Sequence, residues 1–414
     1  MIEEKERINL YRILFVIVFA VSLGFCMVNP FFSIYAKDIG ASGLFIAFIF
    51  SGYSLSKILF TPLLGNWSDE RDRRYFIIAG LSIYSIISFC YFLLPNNLFF
   101  LIFLRFIQGM GAALVRPITF ALVGDITTPN EEGIALGTFD ISFYSALSVG
   151  PILGGFIKDI SGFQGIFGIL FALCFLSLLI AFLAGPSLKI TEKPSERFRS
   201  DYALIIKNRT FQGLFCFIFA RSFGIGIFVV FIPIVMSSYL HLSNLQIGLV
   251  MASGTALTTL LLRPMGRLSD RVSRKGLIII GGGMAAILTF FLPFADHFLH
   301  LLILSISIGF FSVLSLPSSY ALLIEVGKRY GMGLTIGLFD SVMNIGFIVA
   351  FLLGGFLMDI GKMSLIFHTA GLIGILGICF FSFLCLSVKA ESINVLSSFI
   401  KKEFYHYSEK LNIG

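Results

Sequence analysis

Between residues 10 and 388 the chain passes through twelve apolar stretches of membrane-crossing length, set one after another. They fall at approximately 10–36, 43–64, 76–94, 98–124, 132–157, 163–186, 210–238, 244–264, 277–294, 298–325, 332–357 and 363–388. A hydrocarbon core about 30 Å thick takes about 20 apolar residues in helical form. No water is present there to satisfy an open backbone, so each stretch is expected to be a helix. The stretches are too long and too evenly apolar for the alternating strands of a barrel. Composition agrees: 57% of the 414 residues are hydrophobic and 13% are charged, about half the charged share of a soluble domain. The expected fold is an all-α membrane protein, twelve transmembrane helices in two six-helix halves.

The longest connection, 187–209, is polar and divides the chain. The expected organisation is a first bundle over 1–186, a linker over 187–209, a second bundle over 210–388 and a tail over 389–414. The start, MIEEKERINLYR, is charged, but the apolar run after it shows no small-residue cleavage pattern and is long enough to span. It reads as a retained first helix. Net charge is +7. Lys and Arg gather at the amino end, in the 2–3, 8–9 and 10–11 loops, in the linker and in the tail, while the opposite loops hold Lys37, Lys158 and Lys362. The positive-inside rule then places both termini in the cytoplasm of an inner (plasma) membrane. Basic residues confined to short loops set topology and call for no nucleic acid. The six cysteines all lie inside apolar runs with no metal-ligand spacing, so packing is their expected role.

The halves repeat one another. GNWSDERDRR at 65–74 returns as GRLSDRVSRK at 266–275. Gly137-Thr138-Phe139-Asp140 is echoed by Gly337-Leu338-Phe339-Asp340, Leu153-Gly154-Gly155-Phe156 by Leu353-Gly354-Gly355-Phe356, and Asp159-Ile160 by Asp359-Ile360. Pro117 and Asp125 are echoed by Pro317 and Glu325. Such internal repetition marks a transporter built of two similar units, with a path between them that opens alternately to each side.

These residues resemble the major facilitator superfamily over essentially the whole chain. The 2–3 loop is similar to its G-x-L-a-D-r-x-G-R-K signature at Gly65, Asp69 and Arg73, and the 8–9 loop at Gly266, Asp270, Arg274 and Lys275. Arg105 through Ala113 is similar to the family's helix-4 R-x-x-Q-G-x-G-A-A, with Gln108 as its glutamine. Gly150-Pro151-Ile152-Leu153-Gly154-Gly155 looks like the helix-5 motif of exporters that exchange substrate for protons, and Asp125-Ile126-Thr127 at the end of helix 4 adds a likeness to the tetracycline and multidrug exporter branch. The resemblance implies that Asp69 faces the amino end of helix 11, that Arg73 joins Asp69 to Asp125, and that Asp270, Arg274 and Glu325 repeat the arrangement. Together these would latch the halves on the cytoplasmic side. Gly65 is expected to let the chain turn sharply at the helix end. The Gly150, Pro151, Gly154 and Gly155 face is expected to seal the outer side by close packing.

Four cations sit inside apolar runs: Lys57, Arg105, Arg116 and Arg221. A charge at the bilayer centre costs about 2.5–3.5 kcal/mol or more, so each should face a cavity or a partner. Arg105, Gln108, Ala112 and Arg116 fall on one helical stripe. None of the four cations is mirrored in the other half, which marks them as specialised. The resemblance implies a proton-coupling role for Arg105, against a structural hydrogen-bond anchor. Arg116, Lys57 and Arg221 are read as binding an anionic group of the substrate, pairing with Asp140 or backbone carbonyls, or reaching a wet interface. Asp140 and Asp340 lie near helix starts, where a dipole partner is the simpler reading. Asp140 is also the best titratable candidate for the proton, because the first helix offers no carboxylate, only Asn29 beside Pro30. Phe25, Phe139, Phe143 and Phe339 are candidate cavity liners.

The function these features support is secondary active transport, expected to be proton-coupled efflux of a drug-like or amphiphilic compound by a monomer. The alternative is uptake or efflux of organic anions or sugars on the same fold. An enzyme needs convergent nucleophiles, acid–base pairs or metal ligands. The His residues are scattered, and the His297–His300 pair reads more simply as part of a wet loop. No phosphate loop is present, so no cofactor or metal and no ATP coupling are expected.

Overall fold

The structure, a computed structural model, describes residues 4–93, 96–127, 132–184, 205 and 207–385. Most of the expected linker and the whole expected tail lie outside the described residues, as do 128–131 of the 4–5 loop. The helices are α1 Glu4–Asp38, α2 Gly43–Asp69, α3 Arg73–Phe92, α4 Leu98–Ile126, α7 Arg209–Ser238, α8 Asn244–Arg271, α9 Arg274–Phe290, α10 Phe298–Tyr330 and α11 Met332–Asp359. Between α4 and α7 one helical run, Glu132–Leu183, is divided at Gly162, whose φ of 63° and ψ of −160° break it into α5 (132–161) and α6 (163–183). The last helix, α12, is Met363–Cys385. The described residues thus include these twelve long helices, a short 3-10 helix at Leu292–Phe294 and no strand.

Side-chain caps mark where helices begin. Ser42, Asp72, Asn97, Asn208 and Ser273 each accept from a backbone N–H of the following turn, and Ser243 with Gln246 forms a full capping box. These caps satisfy amides that lipid would leave bare. Helix interiors carry prolines in both halves, Pro117 and Pro317 in matching places and Pro62 and Pro264 one residue out of register. Neighbouring helices make such breaks tolerable in a membrane.

In the first half α1 packs on α5, α2 on α4, and α3 on α4 and α6; in the second α7 packs on α11 and α10 on both α8 and α9. The halves meet along α5 with α8, α2 with α11, and α1 with α7. Glycines set the closest approaches. A Cβ at Gly155 would collide with the backbone of Asn244, and one at Gly355 with the carbonyl of Gly43. These meetings lie at the end of the bundle that carries the 1–2, 5–6, 7–8 and 11–12 loops. The two charged decapeptides lie at the other end, hereafter the motif end. Away from it the halves are also tied by Lys37 Nζ donating to Ser238 Oγ (2.8 Å), Leu44 N to Asp359 Oδ2 (2.9 Å) and Leu245 N to Asp159 Oδ2 (3.0 Å).

Candidate transport path

Position along the helix axis places the charges. Arg116 lies ten residues before the end of α4, about 15 Å at 1.5 Å per residue, near mid-membrane. Its side chain is nevertheless 47% exposed, and that of its partner Asp140 is 31% exposed. Exposure at that depth means a cavity between the halves rather than lipid contact. Arg116 Nη2 donates to Asp140 Oδ1 at 3.0 Å, and its guanidinium lies 4.0 Å from the centre of the Phe143 ring. Asp140 is therefore not chiefly a dipole partner: it sits eight residues inside α5, whose first residue is Glu132, beyond the reach of helix-end charge. Asp340 instead accepts from Asn344 Nδ2 at 3.2 Å on its own helix.

From the second half, Arg221 faces the same layer. Its Nη2 donates to Ser312 Oγ at 3.1 Å, and its buried Nε has no partner among the described residues. Tyr144 and Tyr320 lie within electrostatic range of both Arg116 and Arg221, one tyrosine from each half. Just beyond this layer the halves close. Ser148 Oγ and Thr259 Oγ1 are 2.9 Å apart, Thr259 Oγ1 donates to the Tyr144 carbonyl (3.3 Å), and Thr255 Oγ1 to the Leu147 carbonyl (3.2 Å). Among the described residues, every hydrogen bond joining the halves lies from this layer to the end away from the motif loops. The cavity is open toward the motif end.

Arg105 is separate from that cavity. It is 2% exposed and lies in an aromatic box, 3.8 Å from the centre of the Phe32 ring, 5.0 Å from Phe50 and 5.8 Å from Phe25. Its Nη1 donates to Gln108 Oε1 at 3.0 Å, and Tyr91 Oη donates to the same oxygen at 3.4 Å. Nε and Nη2 are buried with no partner among the described residues. Ring faces take the place of a carboxylate, each desolvated cation–π contact being worth about 2 kcal/mol. Lys57 and Asn29 are half-buried and make no hydrogen bond or ion pair with another described residue. Of the phenylalanine candidates, Phe143 lies under Arg116, Phe25 stacks on Tyr53 at 5.5 Å, and Phe139 and Phe339 are core residues at 1% and 3% exposure.

At the motif end each half holds an ion-pair trio. Arg73 reaches Asp69 at 3.1 Å and Asp125 at 3.0 Å; Arg274 reaches Asp270 at 3.4 Å and Glu325 at 3.6 Å. Each trio joins helices of its own half. The implied contact of Asp69 with the start of α11 is not made among the described residues, because the halves are apart at this end. Nor does Gly65 turn the chain. It lies inside α2, which runs on to Asp69, and Ser68 Oγ donates to its carbonyl at 2.7 Å. Gly65 and Gly266 both have open space where a side chain would be.

The helix-5 motif packs in two directions rather than as the single face expected. Gly150 and Gly154 rest against Cys26 and Met27 of α1, while the carbonyl of Pro151 and the Cα of Gly155 meet α8 at Gly248 and Asn244. At the exposed start of α10, Asp296 Oδ1 accepts from Nδ1 of His297 (2.6 Å) and of His300 (2.7 Å). The His297 hydrogen bond, with a smaller share from His300, holds the Asp296 carboxyl below its usual range.

The profile of the Major Facilitator Superfamily matches residues 14–221 and again 214–398, one match per half. An uncharacterized MFS-type transporter of Methanocaldococcus jannaschii is 27% identical over 356 residues, 84% of this chain and 91% of that one. Multidrug resistance protein 2 of Bacillus subtilis is 25% identical over 386 residues, 90% and 96% of the two chains. The quinolone resistance protein NorA of Staphylococcus aureus is 29% identical over 163 residues, 38% of this chain and 42% of that one. Among solved structures, a POT family transporter superposes with a TM-score of 0.75 at 14% identity, covering 92% of this chain and 96% of that one. The nucleoside transporter NupG superposes at 0.72 and 14%, covering 91% and 100%; both show the fold. Two six-helix halves, with a profile match spanning each, identify the chain as a multi-pass transporter of the Major Facilitator Superfamily.

Proposed function

We propose that this chain exports a drug-like or amphiphilic small molecule in exchange for protons, by alternating access, with the motif end and both termini in the cytoplasm. The observation that carries the reading is the half-exposed Arg116–Asp140 pair at the closed end of a cavity in mid-bundle. A carboxylate there can bind a proton or hold Arg116, and protonation ends the charge pairing. A substrate bearing a positive or strongly polar group competes with the proton for Asp140, which is the condition for exchange. Phe143, Tyr144 and Tyr320 supply flat apolar surface with polar tips. Arg105, Gln108 and their ring box hold α4 against α1 and α2, so that movement at the cavity reaches the first half as a unit. The names of two relatives, a multidrug resistance protein and a quinolone resistance protein, support direction, and the charge bias of the loops supports orientation. The trios of Arg73 and Arg274 act as the cytoplasmic latch when the halves swing together at that end.

Purified protein in proteoliposomes with an internal pH dye tests this. Addition of a transported amphiphile should move protons oppositely to it. Transport with no proton movement under any pH gradient would reject exchange. A second reading, an anionic group on the substrate, is favoured by Arg221, which has no carboxylate partner among the described residues. Arg221→Gln should then abolish transport of anionic substrates while sparing cationic ones.

A further inference from the structure

Asp159 and Asp359 close the α5 and α11 ends of the repeat, at matching positions of the two halves. Each carboxylate sits in the last turn or so of its own helix, where the macrodipole is negative and an acid is unfavourable. Each is met by the amino terminus of a helix from the other half. Asp359 accepts from the backbone N–H groups of Gly43 and Leu44, the first two residues of α2. Asp159 accepts from the Leu245 N–H at 3.0 Å and from Asn244 Nδ2 at 2.7 Å, at the first two residues of α8. The approach is built in: the glycines four residues before these aspartates, Gly155 and Gly355, let α5 and α11 come within backbone contact of α8 and α2.

We infer that Asp159 and Asp359 are paired gate residues that position the two halves in their closed arrangement at the end opposite the motif loops. The reasoning is electrostatic. When the halves separate at that end, each carboxylate keeps the negative end of its own helix and loses the positive end of its partner. The helix amides of α2 and α8 lose a charged acceptor at the same time. The interaction therefore differs between the two states, as a gate requires. Four donors held by two carboxylates, related by the internal repeat, make it a symmetric clasp. It closes the side away from the trios of Arg73 and Arg274. The inference rests on the fold and not on the substrate or the coupling ion, so it stands or falls apart from the proposal of proton exchange.

Spin labels at Ser161 and Lys362 report the distance between halves at the clasp end, and labels at Arg71 and Lys328 report the motif end. Electron–electron resonance is measured on full-length protein in nanodiscs, with Asp159→Asn and Asp359→Asn together. The clasp-end pair should lengthen and the motif-end pair shorten. The ratio of clasp-open to clasp-closed molecules should rise by about tenfold. Asn244→Ala, which removes one donor and touches no carboxylate, should give a smaller shift in the same direction, about two- to fivefold. It serves as the test should the double variant fail to fold. A role confined to local helix stability would lower the melting temperature without moving the two distances in opposite senses. Unchanged distributions at both ends in Asn244→Ala and in whichever aspartate variant folds would overturn the assignment.

Discussion

At an offset of 200 residues Pro117 stands opposite Pro317, Asp140 opposite Asp340, Gly155 opposite Gly355 and Asp159 opposite Asp359, yet Arg105 stands opposite Ser305 and Arg116 opposite Leu316. The two halves share what closes the ends and differ in what occupies the middle. Ser305, buried at 3%, makes a 2.7 Å bond to the Val250 carbonyl, so the second half spends at that position a neutral packing contact where the first keeps a caged cation. Asp140 holds an arginine from a neighbouring helix, while Asp340 holds an asparagine one turn away on its own. Duplication therefore supplied a symmetric gate. The asymmetry that a directional, selective cavity needs came from charges with no counterpart across the repeat, Arg116 in the first half and Arg221 in the second.

Swapping mirrored positions is the sharpest way to break this comparison. Asp140→Asn should abolish substrate-driven proton movement in proteoliposomes, a loss of tenfold or more, because the carboxylate paired with Arg116 is gone. Asp340→Asn should change it less than about threefold. Equal losses would mean that the halves share the proton site. Arg116→Gln should come next, lowering transport by about tenfold, with Arg116→Lys restoring part of it, since a point charge replaces a planar fork over Phe143. The latch trios sharpen the comparison from the other side. Arg73 has shorter contacts than Arg274, so Arg73→Ala should slow transport by about two- to fivefold and Arg274→Ala by less, as expected of partly exposed pairs. The smallest effect belongs to Asp296→Asn. With its carboxyl depressed, Asp296 contributes stability above the ordinary carboxylate range, and that contribution fades as pH falls through the lowered value. Transport should be unchanged, and any loss of melting temperature should be seen near neutral pH and vanish in acid.

Much of this arrangement was legible in the sequence for definite reasons. Hydropathy fixes span number because lipid forbids other structure, and the charge spacing of four residues in the repeated decapeptides puts Asp69 beside Arg73 and Asp270 beside Arg274, while the third members, Asp125 and Glu325, came only from the family resemblance. The clasp was half legible: the Asp159-Ile160 and Asp359-Ile360 echo was visible, but which helix start each carboxylate meets depends on how the halves sit together. The ring box of Arg105 was not legible, because Phe32 and Phe50 are two of 49 phenylalanines and nothing local marks them. Gly65 was misread as a turn because a glycine near a charged loop looks like a helix stop; Ser68 and Asp69 carry α2 past it. Asp140 was weighed as a dipole partner although the apolar pattern already began α5 at 132, because the arginine it pairs with lies on α4 and no local spacing joins Arg116 to Asp140.

The most direct measurement asks from which side the central layer can be reached. A single cysteine at Phe143 in a cysteine-free chain, with membrane-impermeant maleimide applied separately to right-side-out and inverted vesicles, gives the answer. The account predicts labelling from the motif face alone in the resting protein, and from the other face once Asp159 and Asp359 are neutralised. Labelling from both faces at rest, or from the far face alone, would contradict a cavity closed by paired clasps at one end and open at the other.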